Sequence, residues 1–183
     1  MIPPWDANVT KMNPTEFELW VKSLLESSGE QLKDLQFLHD EKIENRDGTF
    51  QIDVTARFKA FGGDYLLLIE CKHHKNPIKR EIVQALRDKV SVLGAQKGMI
   101  FATVGFQKGA IQYARQHGIA LVRVADGKTS YETRSADGHH EPPSWVEIPK
   151  YIGWLTQEKE DGAIGMSSVA PGETEYFVDI FKQ

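Results

Sequence analysis

Apolar and polar positions follow two periods along this chain, and each change of period marks an element. Phe17, Trp20, Val21, Leu24 and Leu25 recur at helical spacing, and Gly29 ends the run. Just ahead of them, Asn13-Pro14-Thr15-Glu16 has the form of a helix start, with an Asn cap, Pro at the first helical position and Glu at the third. Residues 35–43 read as a strand, and Asn45-Arg46-Asp47-Gly48 is a turn signal. Over 50–60 the pattern alternates, with Ile52, Val54, Ala56 and Phe58 expected on one face and Gln51, Asp53, Thr55 and Arg57 on the other. A turn at Phe61-Gly62-Gly63-Asp64 then leads into a second strand over 65–73, so the two form a hairpin. The period changes again after Asn76-Pro77. A helix is predicted over 78–93, with Ile82, Leu86, Val90 and Leu93 on one stripe. A short apolar strand over 98–104, a helix over 108–117 stopped by Gly118, and a strand over 119–124 complete the series.

This order of elements predicts an α/β fold, a mixed central sheet flanked by helices. Residues 1–12 read as an irregular N-terminal arm, 13–125 as one domain and 126–183 as a small accessory β extension. Within the extension, 129–133, 145–148 and 176–181 are strand candidates. Residues 156–172, rich in Gly, Ser and charge, read as a mobile loop.

Composition narrows the class. A chain of 183 residues with 40% hydrophobic and 26% charged side chains is globular in type, which excludes collagen-like or wholly disordered readings. The lone Cys71 excludes an internal disulfide and any cysteine-based zinc cluster. The longest apolar run, Tyr65-Leu66-Leu67-Leu68-Ile69, has the length of a strand, and the N-terminus lacks a signal-peptide pattern. A soluble, cytoplasmic chain without a membrane partner is therefore expected. The net charge of −4 argues at first against nucleic acid, but the average hides a basic segment. Seven Lys and Arg stand against two acids between Lys72 and Lys97, whereas eleven acids stand against five bases from Asp126 onward.

The candidate chemistry lies where the hairpin meets that basic segment. Glu70 and Lys72 are two apart on one strand, so their side chains leave the same face, directly after four apolar residues. With a turn near Gly62-Gly63, hairpin partners should sum to about 125 in residue number, which puts Asp53 beside Lys72 and within reach of Glu70. Two carboxylates and an ammonium would then converge at one end of the sheet. Mg²⁺ suits such a set, because it takes oxygen ligands and keeps several waters for a substrate phosphate to replace. Lys72 would orient or deprotonate the attacking water. The same spacing also describes a cross-strand ion pair, a common and weak surface feature.

Phe17-Glu18, Ile52-Asp53-Val54, Glu70-Cys71-Lys72-His73, Gly94-Ala95-Gln96-Lys97-Gly98, Gly105-Phe106 and the helix leading to Ile119-Ala120-Leu121 together resemble the Mrr-type restriction endonuclease domain. That domain belongs to the PD-(D/E)xK nuclease superfamily, and the resemblance runs in order over about 13–125. It implies a restriction-endonuclease-like fold and a metal-dependent endonuclease that hydrolyses DNA phosphodiesters, with Mg²⁺ as cofactor and Mn²⁺ able to substitute. Asp53 and Glu70 would be the metal-binding carboxylates, Lys72 the catalytic lysine, and Glu18 the first-helix acid that supports the metal site. The chain departs from the family pattern at Ile52, where the superfamily name has Pro, at Phe50-Gln51, where a Gly pair is frequent, and at Glu70, where many Mrr members have Gln. None of these changes removes a catalytic group.

Glu16 and Glu18 both lie at edges of the first helix's apolar face; Glu16 has a capping role of its own, which leaves Glu18 for the site. Gln84 on the following helix, His73, Lys75, Lys79 and Arg80 are the candidates for substrate contact, within a wider basic pool that includes Arg87 and Lys89. One such site cuts one strand, so a double-strand break needs a homodimer or two binding events. Restriction or defence is the setting that the resemblance suggests. The competing readings are a non-catalytic nucleic-acid-binding or assembly module on the same fold, and a structure-specific repair nuclease.

Overall fold

Asn13 and Glu16 close a reciprocal capping box at the start of the first helix. The Glu16 amide donates to Asn13 Oδ1 at 2.9 Å, and the Asn13 amide donates to Glu16 Oε2 at 2.8 Å. The computed structural model describes residues 9–28, 34–126, 151–158 and 162–169. Within them, helix α1 (Pro14–Ser28) is followed by strands β1 (Gln36–Asn45), β2 (Gly48–Ala60) and β3 (Gly63–Lys72), then helix α2 (Arg80–Val92) and strand β4 (Lys97–Ala102). Helix α3 (Lys108–Gln116) and strands β5 (Ala120–Asp126), β6 (Tyr151–Glu158) and β7 (Ile164–Val169) complete them. A mixed sheet flanked by helices is what the hydrophobic pattern predicts.

The strands lie in sequence order in one sheet. β1–β2–β3 are antiparallel, β3–β4–β5 parallel, and β5–β6–β7 antiparallel again. The two parallel steps advance the same way across the sheet, so their crossover helices α2 and α3 land on the same face. There they pack on Ile52, Leu68, Ile100 and Leu121. Helix α1 covers the other face, where Phe17, Trp20, Val21 and Leu25 meet Val54, Ile69, Phe101 and Val122. β3 is thus buried on both sides, which is why its sequence is a continuous apolar run rather than an alternation. No helix among the described residues is long and apolar enough to cross a membrane.

The C-terminal reading needs correction. Residues 156–172 were expected to form a loop, yet they contain the end of β6 and all of β7, which extend the main sheet beyond β5. Ile164-Gly165-Met166-Ser167-Ser168-Val169 carries little alternation, and its pairing comes from β6, an influence that local propensity does not register. The strand candidates at 129–133, 145–148 and 176–181 lie outside the described residues.

β2 departs from the expected face assignment as well. Ile52 packs into the α2/α3 layer, whereas Val54, Ala56 and Phe58 pack toward α1. β1 changes sides likewise, from Phe37 on the α1 side to Ile43 on the other. The cause lies between them. Asp40 has a left-handed φ of 52°, and the β1–β2 pairing runs on both sides of the opposed positions Asp40 and Asp53 but omits them. One left-handed residue breaks the pleat, so everything beyond it points the opposite way, and Asp tolerates that region better than most residues. Asp40→Val is therefore expected to destabilise the chain by about 1–2 kcal/mol in chemical denaturation, with Asp40→Gly close to wild type. Equal stability of the Val and Gly variants would sink this account.

Gly98 marks a close approach of β4 to its covering helix. A Cβ there would lie 2.9 Å from both Ile119 Cδ1 and Val90 Cγ2. Gly98→Ala is expected to cost about 1–3 kcal/mol by overpacking, read as a lowered Tm; an unchanged Tm would mean that the layer is looser than it looks.

Candidate active site

Asp53 is left out of the ladder on both sides, between His39–Val54 and Glu41–Ile52 on β1 and beyond Val54–Ile69 on β3. β2–β3 pairing ends at Val54 and Ile69, and its partners sum to 123, two less than the sequence suggested. The hairpin turns through the two residues Phe61 and Gly62, both at positive φ (51° and 79°), as a tight primed turn requires. A shift of two keeps every side chain on its face, so the expected convergence survives the change of register. Beyond the last pair, the Asp53 carboxylate takes the place of a strand partner: the Cys71 amide donates to Asp53 Oδ2 at 2.7 Å.

Lys72 ties the two carboxylates together. Its ammonium donates to Glu70 Oε2 at 2.6 Å and to Asp53 Oδ2 at 3.4 Å. Glu70 is the more enclosed acid, its side chain 9% exposed against 22% for Asp53 and 21% for Lys72. Burial pushes the Glu70 carboxyl up, but the charge of Lys72 and hydrogen bonds from Lys72 and Lys89 outweigh it, and the group is held below the usual carboxylate range. Burial likewise pushes Lys72 down, and the facing Glu70 and Asp53 charges reverse this, so its ammonium is held above the ordinary lysine value. The two shifts have one cause, the close approach of the Lys72 ammonium to the facing carboxylates.

A further lysine belongs to the group. Lys89 of α2 donates to Glu70 Oε1 at 2.6 Å and to the Gln51 main-chain carbonyl at 2.9 Å. Pattern reading placed Lys89 only in a general basic pool. Its signal was present, however, because it is three residues after Leu86, seven after Ile82 and four before Leu93. That puts it on the apolar stripe that faces the sheet, where a lysine needs partners.

The other candidates are spread more widely. Glu18 lies 2.8 Å from the His39 ring on β1, and its charge, with those of Asp53 and Glu70, raises the buried Cys71 thiol further after burial itself. The α1 carboxylate is thus within electrostatic reach of the same strand end. The His73 ring makes an edge contact with Phe17, and its Nε2 lies 3.2 Å from the Val9 carbonyl, tying the N-terminal segment to the end of the hairpin. Gln84 lies in an open groove with Arg87, Tyr113 and His117 between α2 and α3, on a different side of the helix from Lys89. Lys75 and Lys79 are exposed on the segment between β3 and α2, and Arg80 is exposed at the first position of α2, its guanidinium 4.9 Å from the Tyr113 ring centre.

Two carboxylates from adjoining strands that already face one ammonium are a donor set suited to a hard divalent cation, which takes oxygen ligands and keeps waters besides. Among the described residues no group of three or more His, Cys, Asp or Glu is placed to hold a metal. Asp53 and Glu70 could hold such a cation together with water and substrate oxygens.

Comparison with known proteins places this geometry in context. The family model of the Mrr catalytic domain, described as a restriction endonuclease, matches residues 9–129. The chain is also similar to the crystal structure of a protein of unknown function, AF1548, at 23% identity and a TM-score of 0.47, over 62% of this chain and 57% of that one. A further similarity is to the DNA modification-dependent restriction endonuclease AspBHI, at 19% identity and a TM-score of 0.42, over 66% of this chain and 33% of that one. The chain thus spans less than two thirds of either structure. No curated protein matches it.

Proposed function

The chain belongs to the Mrr-type restriction endonuclease family, and from that premise we propose that it is a divalent-cation-dependent nuclease that hydrolyses DNA phosphodiester bonds at Asp53, Glu70 and Lys72. The observation that carries this reading is the convergence of both carboxylates on one lysine ammonium at the end of β3. A solvated ion pair would need neither the Asp53 contact with the Cys71 amide nor a second lysine drawn in from α2.

Asp53 and Glu70 would hold Mg²⁺, with Mn²⁺ as substitute. The cation supplies a bound water of lowered pKa and offsets charge on the attacked phosphate. Lys72 supplies a fixed positive charge beside those ligands, where it positions a phosphate oxygen and stabilises charge that grows during displacement. Glu18, anchored on His39, supports the site from α1 through its charge. The exposed Lys75, Lys79 and Arg80 follow directly in sequence and would position the DNA backbone without reading its bases. One such site cuts one strand, so nicked circles precede linear product unless two copies act together.

The test is incubation of supercoiled plasmid with the chain and Mg²⁺ or Mn²⁺. Nicking that requires the cation and stops with chelator supports the proposal. DNA binding without nicking under either metal, on plain and on modified plasmid, would replace it with the binding-module reading.

A further inference from the structure

Glu70 is held by ammonium groups on both oxygens, Lys72 on Oε2 and Lys89 on Oε1. Lys72 is next to it on the same strand. Lys89 reaches in from α2 and is fixed at a second point by the Gln51 carbonyl, on the strand that carries Asp53. It lies on the apolar stripe between Leu86 and Leu93, its side chain is 26% exposed, and its head has two defined partners. A lysine that served only to meet DNA backbone would point to solvent, whereas this one is directed at a carboxylate expected to hold a cation.

We propose that Lys89 is a built-in counter-cation that sets how tightly the Asp53–Glu70 pair takes up a divalent metal. The inference rests on the cation-dependent reading given above. With both lysines in place, two carboxylates face two ammonium groups and the cluster is neutral, so an arriving cation gains little net attraction. A unit positive charge a few ångström from a divalent cation weakens its binding on the order of ten- to thirty-fold even at water-like screening. Lys89 therefore acts through Glu70 as a positioning residue. It keeps the carboxylate oriented without metal and raises the cation concentration needed for loading.

The test is Mn²⁺ binding to the whole chain without DNA, followed by the electron paramagnetic resonance signal of free Mn²⁺. Lys89→Met removes the charge and keeps the stem, and is expected to lower the Mn²⁺ dissociation constant about tenfold. Lys89→Arg keeps the charge and is expected to stay near wild type, as is the distant control Lys59→Met. The rise in Tm produced by Mn²⁺ should be larger in Lys89→Met than in wild type. If Lys89→Met does not fold, Lys89→Gln, which can still donate to the Gln51 carbonyl, carries the same measurement. Wild-type binding with an unchanged or weakened constant in the neutral variants overturns the role of Lys89 alone. No Mn²⁺ uptake by wild type or variant overturns both this role and the cation-dependent reading.

Discussion

Lys72→Met is expected to reduce plasmid nicking on the order of 10³-fold while leaving the secondary structure intact by circular dichroism. Removing one preorganised charge aimed at a developing negative group costs about 10²–10³ in rate, and in the proposed site the same group would also orient the attacking water. The variant has a second signature that a purely structural lysine would not give. Glu70 Oε2 and Asp53 Oδ2 share the Lys72 ammonium, so its loss leaves two carboxylates facing each other with only Lys89 to offset them. Lys72→Met should therefore have a lower Tm than wild type without metal, and Mg²⁺ should restore more of it than it adds to wild type. Asp53→Asn should lose nicking to a similar extent, but with a smaller metal-induced rise because a ligand charge is gone. Nicking by Lys72→Met within about tenfold of wild type would remove Lys72 from the reaction.

Glu70→Gln carries the second large effect, on both stability and its pH dependence. The substitution leaves Lys72 with Asp53 alone and Lys89 with the Gln51 carbonyl, each lysine still partly open to solvent. The cost is accordingly about 1–3 kcal/mol, below that of breaking a fully buried pair. Because the Glu70 carboxyl is held below its ordinary 4.5, its contribution is complete above that value and is lost as pH falls through the lowered one. Lys72 works in the opposite sense: held above its ordinary 10.5, it contributes fully below that value and loses its contribution as pH rises through the raised one. The cluster stabilises the fold across the interval between. In acid, wild-type Tm should fall more steeply than that of Glu70→Gln, and the two curves should approach each other. Parallel curves, or equal Tm at neutral pH, would show that Glu70 is not coupled to its lysines.

Much of this site could be read before any coordinates, for a definite reason. Glu70 and Lys72 share a face because strand side chains alternate, and Asp53 came within reach because a hairpin brings its two strands back along each other. Even the two-residue error in register left that conclusion standing, since an even shift preserves faces. Asn13 and Glu16 were equally legible, because a capping box is completed within a single turn of chain.

The misses are of another kind. Alternation puts Ile52 and Val54 on one face, and the left-handed Asp40 on the neighbouring strand sends them to opposite layers. The sequence of β7 predicts a loop, and its pairing with β6 outweighs that weak local preference. Lys89 went unassigned because its partners, Gln51 and Glu70, lie 38 and 19 residues away.

Local periodicity, caps and turns are short-range properties of a chain, so they sufficed for the elements, their order and the strand end that bears Glu70 and Lys72. Which oxygen meets which ammonium depends on how the left-handed residue at Asp40 and the packing of α2 on the sheet bring distant residues together. That meeting is decided by packing across the whole sheet, and only the folded molecule specifies it.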